Sequence, residues 1–514
     1  MLLLLTAQAI NTSVQAQENG KNRDEAYRPK IHFTPKAHWI NDPNGMVYHK
    51  GTYHLFYQYY PGSSVWGPMH WGHATSKNLI SWKEQPIALY PDSLGYIFSG
   101  SAVVDKNNTS GLGKNVRPAT SSKSKKVDKV QAPLVAIFTH HDPVGEKSGK
   151  NDFQNQSIAY SNDDGKTWTK YAGNPVIKNP GIIDFRDPKV MWYGPQKKWI
   201  MTLATKDHIT FYSSPDLKSW SKESEFGKEA GAHGGVWECP DLFALDDSGK
   251  QCWVLIVSLN PGGPNLGSGT QYFVGNFDGK TFTSAQTATR WLDYGPDNYA
   301  GITWSNTGKR KIFIGWMSNW IYANLVPTET WRNAMTLPRE LKIKRMANEL
   351  YVTSQPVTEL LAISSKPMSA THFIVNKKVD LATKTGKVKF PCRINLNMDA
   401  PKDYSLVLSN DSGDELIIGY DKKVNQYFID RSKAGRADFN KGFAARYTAP
   451  RISANTKMNL SLVIDVNSLE LFADDGLIVM TSIFFPNKSY NKIYIQSPEN
   501  IVIAKMEYIN LTGK

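Results

Sequence analysis

Apolar residues along this chain alternate with polar ones in short runs broken by Gly, Pro, Asn and Asp, and no long stretch carries the spacing of an amphipathic helix. That patterning predicts an all-β protein. In the first 340 or so residues a turn recurs, in which a polar cluster leads into an aromatic strand start: Ser76 to Trp82, Ser161 to Trp168, Ser214 to Trp220 and Asn276 to Phe282. The closing aromatics lie 86, 52 and 62 residues apart, spacings that fit four-stranded propeller blades with loop insertions. Residues 105 to 131, rich in Lys, Ser, Asn and Gly, account for the longest interval as an inserted loop. With a further motif at Asp293 to Tyr299, the count is five blades.

Beyond about residue 345 the turn repeat stops. Alternating strands such as Asp403 to Leu408, Leu416 to Tyr420 and Leu469 to Phe472 take over, and they predict a β-sandwich. The chain of 514 residues exceeds what one core usually serves, so two domains are expected. We place them at 27–345 (a five-bladed β-propeller) and 352–514 (a β-sandwich), joined by a linker at Val352 to Pro356. Residues 1–16 read as a signal peptide, with Leu2 to Leu5 as its apolar part and Val14-Gln15-Ala16 as its cleavage site, so export is expected.

Composition changes this picture little. A net charge of +14 invites nucleic acid, but the bases are scattered among acids and no nucleic-acid motif is present, so no nucleic-acid partner is expected. No transmembrane span is expected either. Cys239, Cys252 and Cys392 are too few and too far apart for a disulfide framework or a zinc site. His70 and His73 have no acidic or cysteine partner at ligand spacing, and we expect no metal and no cofactor.

The chemistry is carried by three carboxylates beside prolines. In Trp39-Ile40-Asn41-Asp42-Pro43-Asn44-Gly45, Pro43 extends the backbone at Asp42 and the following turn fixes its carboxylate between two amides. Phe185-Arg186-Asp187-Pro188 and Trp237-Glu238-Cys239-Pro240 supply the other two. Each motif falls early in a blade. If the first strand of a blade is innermost, the three side chains converge at one mouth of the propeller.

These stretches, with Phe98-Ser99-Gly100-Ser101, Gly315 to Trp320 and Leu337 to Leu341, resemble the motif set of glycoside hydrolase family 32, which contains invertases, inulinases and levanases. The resemblance runs from about residue 30 to the end and implies the same propeller-plus-sandwich fold. It further implies a retaining β-fructofuranosidase, with Asp42 as nucleophile, Glu238 as acid/base and Asp187 holding fructose hydroxyls. Asn41, Gln58, Trp66, Phe98, Ser99, Ser101, Arg186 and Trp320 match sugar-contact positions, with Tyr299 near the acid/base.

A retaining pair needs carboxyls roughly 5 to 5.5 Å apart, one ionised and one protonated. The apolar neighbours of Glu238 are expected to raise its pKa, the amides beside Asp42 to stabilise its anion, and Arg186 to keep Asp187 ionised. The expected substrate is a fructan, levan or inulin, or sucrose, with exo attack preferred. Alternatives carried forward are an endo-levanase, a fructosyltransferase and a non-catalytic fructan-binding protein. Oligomeric state is left open.

Overall fold

The computed structural model describes residues 25–116, 129–386 and 388–512. The signal-peptide reading of 1–16 lies outside them, as does most of the Lys-rich stretch at 123–129.

Five antiparallel sheets surround one axis, and in each the first strand in sequence lies innermost. These inner strands are His38–His49, Tyr96–Val104, Phe185–Tyr193, Val236–Asp247 and Tyr299–Thr303, heading blades 1 to 5. The recurrent turns join the third and fourth strands of blades 1 to 4, where an acid or amide side chain caps the turn. Asn78 Oδ1 accepts from Ser81 N at 2.8 Å, Asp216 Oδ1 from Ser219 N at 2.7 Å and Asp278 Oδ1 from Thr281 N at 2.7 Å. The repeat is therefore a repeat of turn chemistry. The insertion falls between the first two strands of blade 2, where Asn115–Val116 pairs with Lys129–Val130.

The ring closes between blades 5 and 1. Trp331–Arg332 runs parallel to the start of His38–His49, and Ser305 exchanges backbone bonds of 3.0 Å with Met46 and Tyr48. Val352 to Pro356, expected as a linker, is instead part of Glu349–Pro356, the outer strand of blade 5, paired with Arg339–Met346. Its Val352 and Leu350 pack among the apolar residues of blades 4 and 5, which is why this polar-looking segment is ordered as strand. A 3-10 turn, Thr358–Ile363, leads on to the sandwich.

In the sandwich, the 19-residue strand Lys492–Asn510 pairs with Tyr404–Ser409 along its first part, with Cys392–Met398 along its last, and with Met368–Asp380 throughout. One long strand thus serves both layers over a large aliphatic core.

The two domains are joined by buried charge. Arg339, on blade 5, donates to Asp293 Oδ2 at 2.8 Å and to Glu470 Oε2 at 2.6 Å, and all three side chains are fully buried. His32, on the segment leading into blade 1, bridges Asp465 Oδ2 and Glu470 Oε1 at 2.9 Å each. Arg431 reaches back from the sandwich to Asp297 at 2.7 Å. Burial alone would strip the proton from His32, but the two carboxylates more than offset it and hold its pKa at about 9. The sign follows from linkage. A histidine raised above its unfolded value of 6.5 stabilises the fold fully below that value, and the contribution is lost as pH climbs through about 9. Parent protein should therefore lose on the order of 2 kcal/mol of unfolding free energy from this group between pH 6.5 and 9. Denaturant titrations of parent and His32→Gln across that window test this, and an equal slope in both would contradict it.

Candidate active site

All five inner strands break register at the same depth. The irregularities fall between Ile40 and Pro43, Ile97 and Gly100, Arg186 and Lys189, Glu238 and Asp241, and Tyr299 and Ile302. A bulge inserts a residue and re-aims its neighbours. Here it does so five times around one axis, and the residues it re-aims are Asn41, Asp42, Phe98, Ser99, Asp187, Glu238 and Tyr299. In three blades the bulge places a non-glycine residue in the left-handed region: Asp187 at φ 65°, Cys239 at 47° and Ala300 at 53°. Such conformations cost energy and persist where packing over-determines them. Gly100 is required at the blade 2 bulge, since a Cβ there would lie 2.0 Å from Ile137 O.

The result is a cavity of about 280 Å³ lined by Asn41, Asp42, Gln58, Trp66, Phe98, Ser99, Arg186, Asp187, Glu238 and Trp320, all expected from the sequence. Asp42 accepts from Asn41 Nδ2 at 3.0 Å and from Ser99 Oγ at 2.9 Å, and Trp39 Nε1 fixes the Asn41 amide by donating to its oxygen at 2.8 Å. Arg186 donates to Glu238 Oε1 through Nη2 at 2.8 Å and Nε at 3.2 Å, and through Nη1 to Asp184. Tyr299 OH donates to the other Glu238 oxygen, so Tyr299 acts on the site from behind that carboxylate. Cys239 lies beneath the floor. Its backbone N–H donates to Asp187 Oδ2 at 3.0 Å, and its thiol lies 3.6 Å from that oxygen and 3.7 Å from Asp42 Oδ2. Burial pushes this thiol well above the usual range, and the carboxylates around it push the same way, so it stays a proton donor rather than a nucleophile.

The walls are aromatic. Trp320 stacks on Trp39 with centroids 5.9 Å apart and leans on Trp316 at 4.9 Å, while Trp66 meets Phe98 edge-on at 6.3 Å. Gln58 is 2% exposed, and its amide nitrogen is buried with no partner in the protein. A buried donor left unpaired is costly, and this one lies on the cavity wall.

Four expectations need correction. Ser101 does not reach the cavity: it is fully buried, donating to Pro188 O at 3.0 Å and accepting from Val190 N at 3.0 Å, because the bulge turns it toward blade 3. It ties two blades together. Arg186 does not keep Asp187 in the ordinary acid range. Burial raises Asp187 to about 7 against the pull of Arg186, whose hydrogen bonds go to Glu238 and Asp184. The amides beside Asp42 are likewise outweighed: burial, helped by the charge of Glu238, lifts it to about 6. Glu238, expected in an apolar setting, is met by two donors instead.

Sequence reasoning missed His141, Glu146, Gln154, Asp184 and Met69, which also line the cavity. His141 stacks flat on Phe98 at 4.2 Å and pairs with Glu146 at 3.1 Å. Asp184, two residues before Arg186, carried the one readable signal.

A five-bladed propeller with Asp42, Asp187 and Glu238 gathered beside an arginine and tryptophan walls in a sugar-sized cavity defines a glycosidase-type protein. The family follows from comparison. Residues 32–354 match the glycosyl hydrolases family 32 N-terminal domain and residues 359–510 its C-terminal domain, and the chain belongs to that family. It is 47% identical over 479 residues to the levanase of Bacillus subtilis, covering 91% of this chain and 67% of that protein. It is 41% identical over 505 residues to the extracellular exo-inulinase of Aspergillus niger, covering 91% of each. The crystal structure of exo-inulinase from Aspergillus awamori superposes with a TM-score of 0.86 at 36% identity, covering 96% of this chain and 99% of that one.

The raised aspartates have a consequence for stability. A carboxyl whose folded pKa lies above its unfolded 3.8 destabilises the fold once the pH exceeds both values. Asp42→Asn should therefore be more stable than the parent at neutral pH, by about 1–3 kcal/mol, with the gain shrinking as pH falls through about 6. Melting curves at neutral and acid pH check this, and a variant no more stable than the parent at neutral pH would count against it.

Proposed function

We propose that this chain is an exported β-fructofuranosidase that hydrolyses fructans, levan or inulin, and sucrose from the fructose end by a retaining mechanism. The single observation that carries the reading is the convergence of Asp42, Asp187 and Glu238 with Arg186 in one tryptophan-walled cavity. Relatives named levanase and exo-inulinase supply the substrate class. The Aspergillus niger relative is described as extracellular, and no helix among the described residues is long and apolar enough to cross a membrane.

Exo attack is supported by the grading of exposure. Asn41 and Gln58 at the bottom are 3% and 2% exposed, whereas Trp66 at the rim is 40% exposed, so the cavity is a pocket open on one side and accepts a chain end.

In the first step Asp42 attacks the anomeric carbon of the terminal fructose as the bond to the leaving oxygen breaks, and Glu238 gives that oxygen its proton. In the second, Glu238 takes a proton from water, the water oxygen bonds to the anomeric carbon, and the Asp42 ester bond breaks. Asn41 and Ser99 orient the Asp42 carboxylate. Tyr299 and Arg186 orient Glu238. Asp187, with a pKa near 7, can accept from one fructose hydroxyl and donate to another.

Since Asp42 must be ionised to attack, kcat/KM should fall on the acid side with a midpoint of about 6. A profile flat through that region would overturn the assignment. Early product analysis with levan, inulin and sucrose tests the rest. Fructose alone, lost in Asp42→Ala and Glu238→Ala, is expected. Short oligosaccharides would make the protein endo-acting, and no turnover by the parent would leave a binding protein.

A further inference from the structure

The propeller axis has a second mouth. At the end opposite the carboxylates, the far halves of the inner strands of blades 2 to 5 wall a cavity of about 470 Å³, larger than the catalytic pocket. Nothing in the proposed chemistry uses it.

Its lining has two faces. One is aromatic. Trp192 stands 37% exposed at the opening, and Trp199 meets it edge-on with centroids 5.0 Å apart. Trp199 is fixed in turn by Nε1 donating to Thr109 Oγ1 at 2.8 Å. Trp253, from blade 4, is packed against Tyr193 and Phe277 behind it. The other face is polar and of mixed sign. Buried Lys189 lies 3.2 Å from Asp241, which also accepts from the backbone and hydroxyl of Thr303 at 2.7 Å each. Lys311 lines the same space, has no carboxylate within ion-pair distance among the described residues, and is held below the usual lysine range by burial.

This combination selects for chemistry. An anion entering to meet Lys311 would face the Asp241 carboxylate, and a cation would face the ammonium groups of Lys106, Lys189 and Lys311. A purely apolar guest would leave Lys311 desolvated and unpaired. A neutral polyol with one apolar ring face offers acceptors to Lys311, donors to Asp241 and a surface for indole stacking. The same three requirements describe a sugar, and a tryptophan left half-exposed at the opening is the kind of surface a sugar ring covers.

We infer that the far mouth is a second carbohydrate site, binding a short stretch of neutral fructan chain against Trp192, with Lys311 and Asp241 taking its hydroxyls. The identity of that sugar rests on the proposed function. A polymeric substrate would be held at one mouth while a chain end is processed at the other, raising the local concentration of ends.

Trp192→Ala and Lys311→Ala test it, since neither residue touches the catalytic pocket. Both variants, confirmed folded by an unchanged Tm, are run through native gels containing inulin or levan and assayed on inulin, levan and sucrose. The inference predicts less retardation in the polymer gels, a KM for polymer raised several-fold, and kcat/KM for sucrose within twofold of the parent. Unchanged retardation and unchanged polymer KM in both folded variants would overturn it. Failure of the parent to release fructose from any of the three substrates would instead overturn the functional reading and leave the gel result to stand by itself.

Discussion

Asp42, Asp187 and Glu238 crowd around one guanidinium in a cavity of about 280 Å³ that Glu146 and Asp184 also line, and the rest of the site follows from that crowding. Burial alone would neutralise the acids, and Arg186 can hydrogen-bond only some of them. It spends its donors on Glu238 and Asp184, leaving Asp42 and Asp187 with raised affinities for protons. The fold holds this arrangement against its own electrostatics. Neighbouring donors make it bearable, among them Asn41, Ser99 and the Cys239 backbone N–H.

The five bulges are the geometric counterpart. An unbulged inner strand alternates its side chains between neighbouring blades and offers little to the axis. The register break at the same depth in every blade turns consecutive residues inward, which is why the cavity-lining residues come in adjacent pairs such as Asn41-Asp42, Phe98-Ser99 and Arg186-Asp187. It also explains Ser101. Two residues past the bulge the ordinary alternation has resumed, and the hydroxyl ties blade 2 to blade 3. Behind the propeller, the buried charges of Arg339, His32 and Arg431 fix the sandwich to blade 5 and to the segment entering blade 1.

Much of this was legible in the residues. The blade count could be read from the capped turns at Asn78, Asp216 and Asp278 because local side-chain bonds make them. Asp42 and Asp187 announced themselves by adjoining prolines and Glu238 by a proline two residues on, and these prolines mark the bulges. What could not be read was anything set by depth. The pKa expectations for Asp42 and Glu238 came from sequence neighbours, whereas the actual partners, Ser99, Arg186 and Tyr299, lie 57, 52 and 61 residues away. His141 and Glu146 were missed for the same reason, as they enter the cavity from the second strand of blade 2 and the short helix after it. The Val352 to Pro356 segment looked like a linker because its partner strand, Arg339–Met346, is itself largely polar.

The most direct test of the central claim is to watch the aspartates titrate. Carboxyl-labelled aspartate in the intact protein, followed by carbon-13 NMR with Asp42→Asn and Asp187→Asn for assignment, should show two carboxyls titrating near 6 and near 7, each signal lost in its own variant. If both instead titrate close to the ordinary aspartate value of 3.8, the site is not crowded and buried in the way described, and its division of labour must be drawn differently.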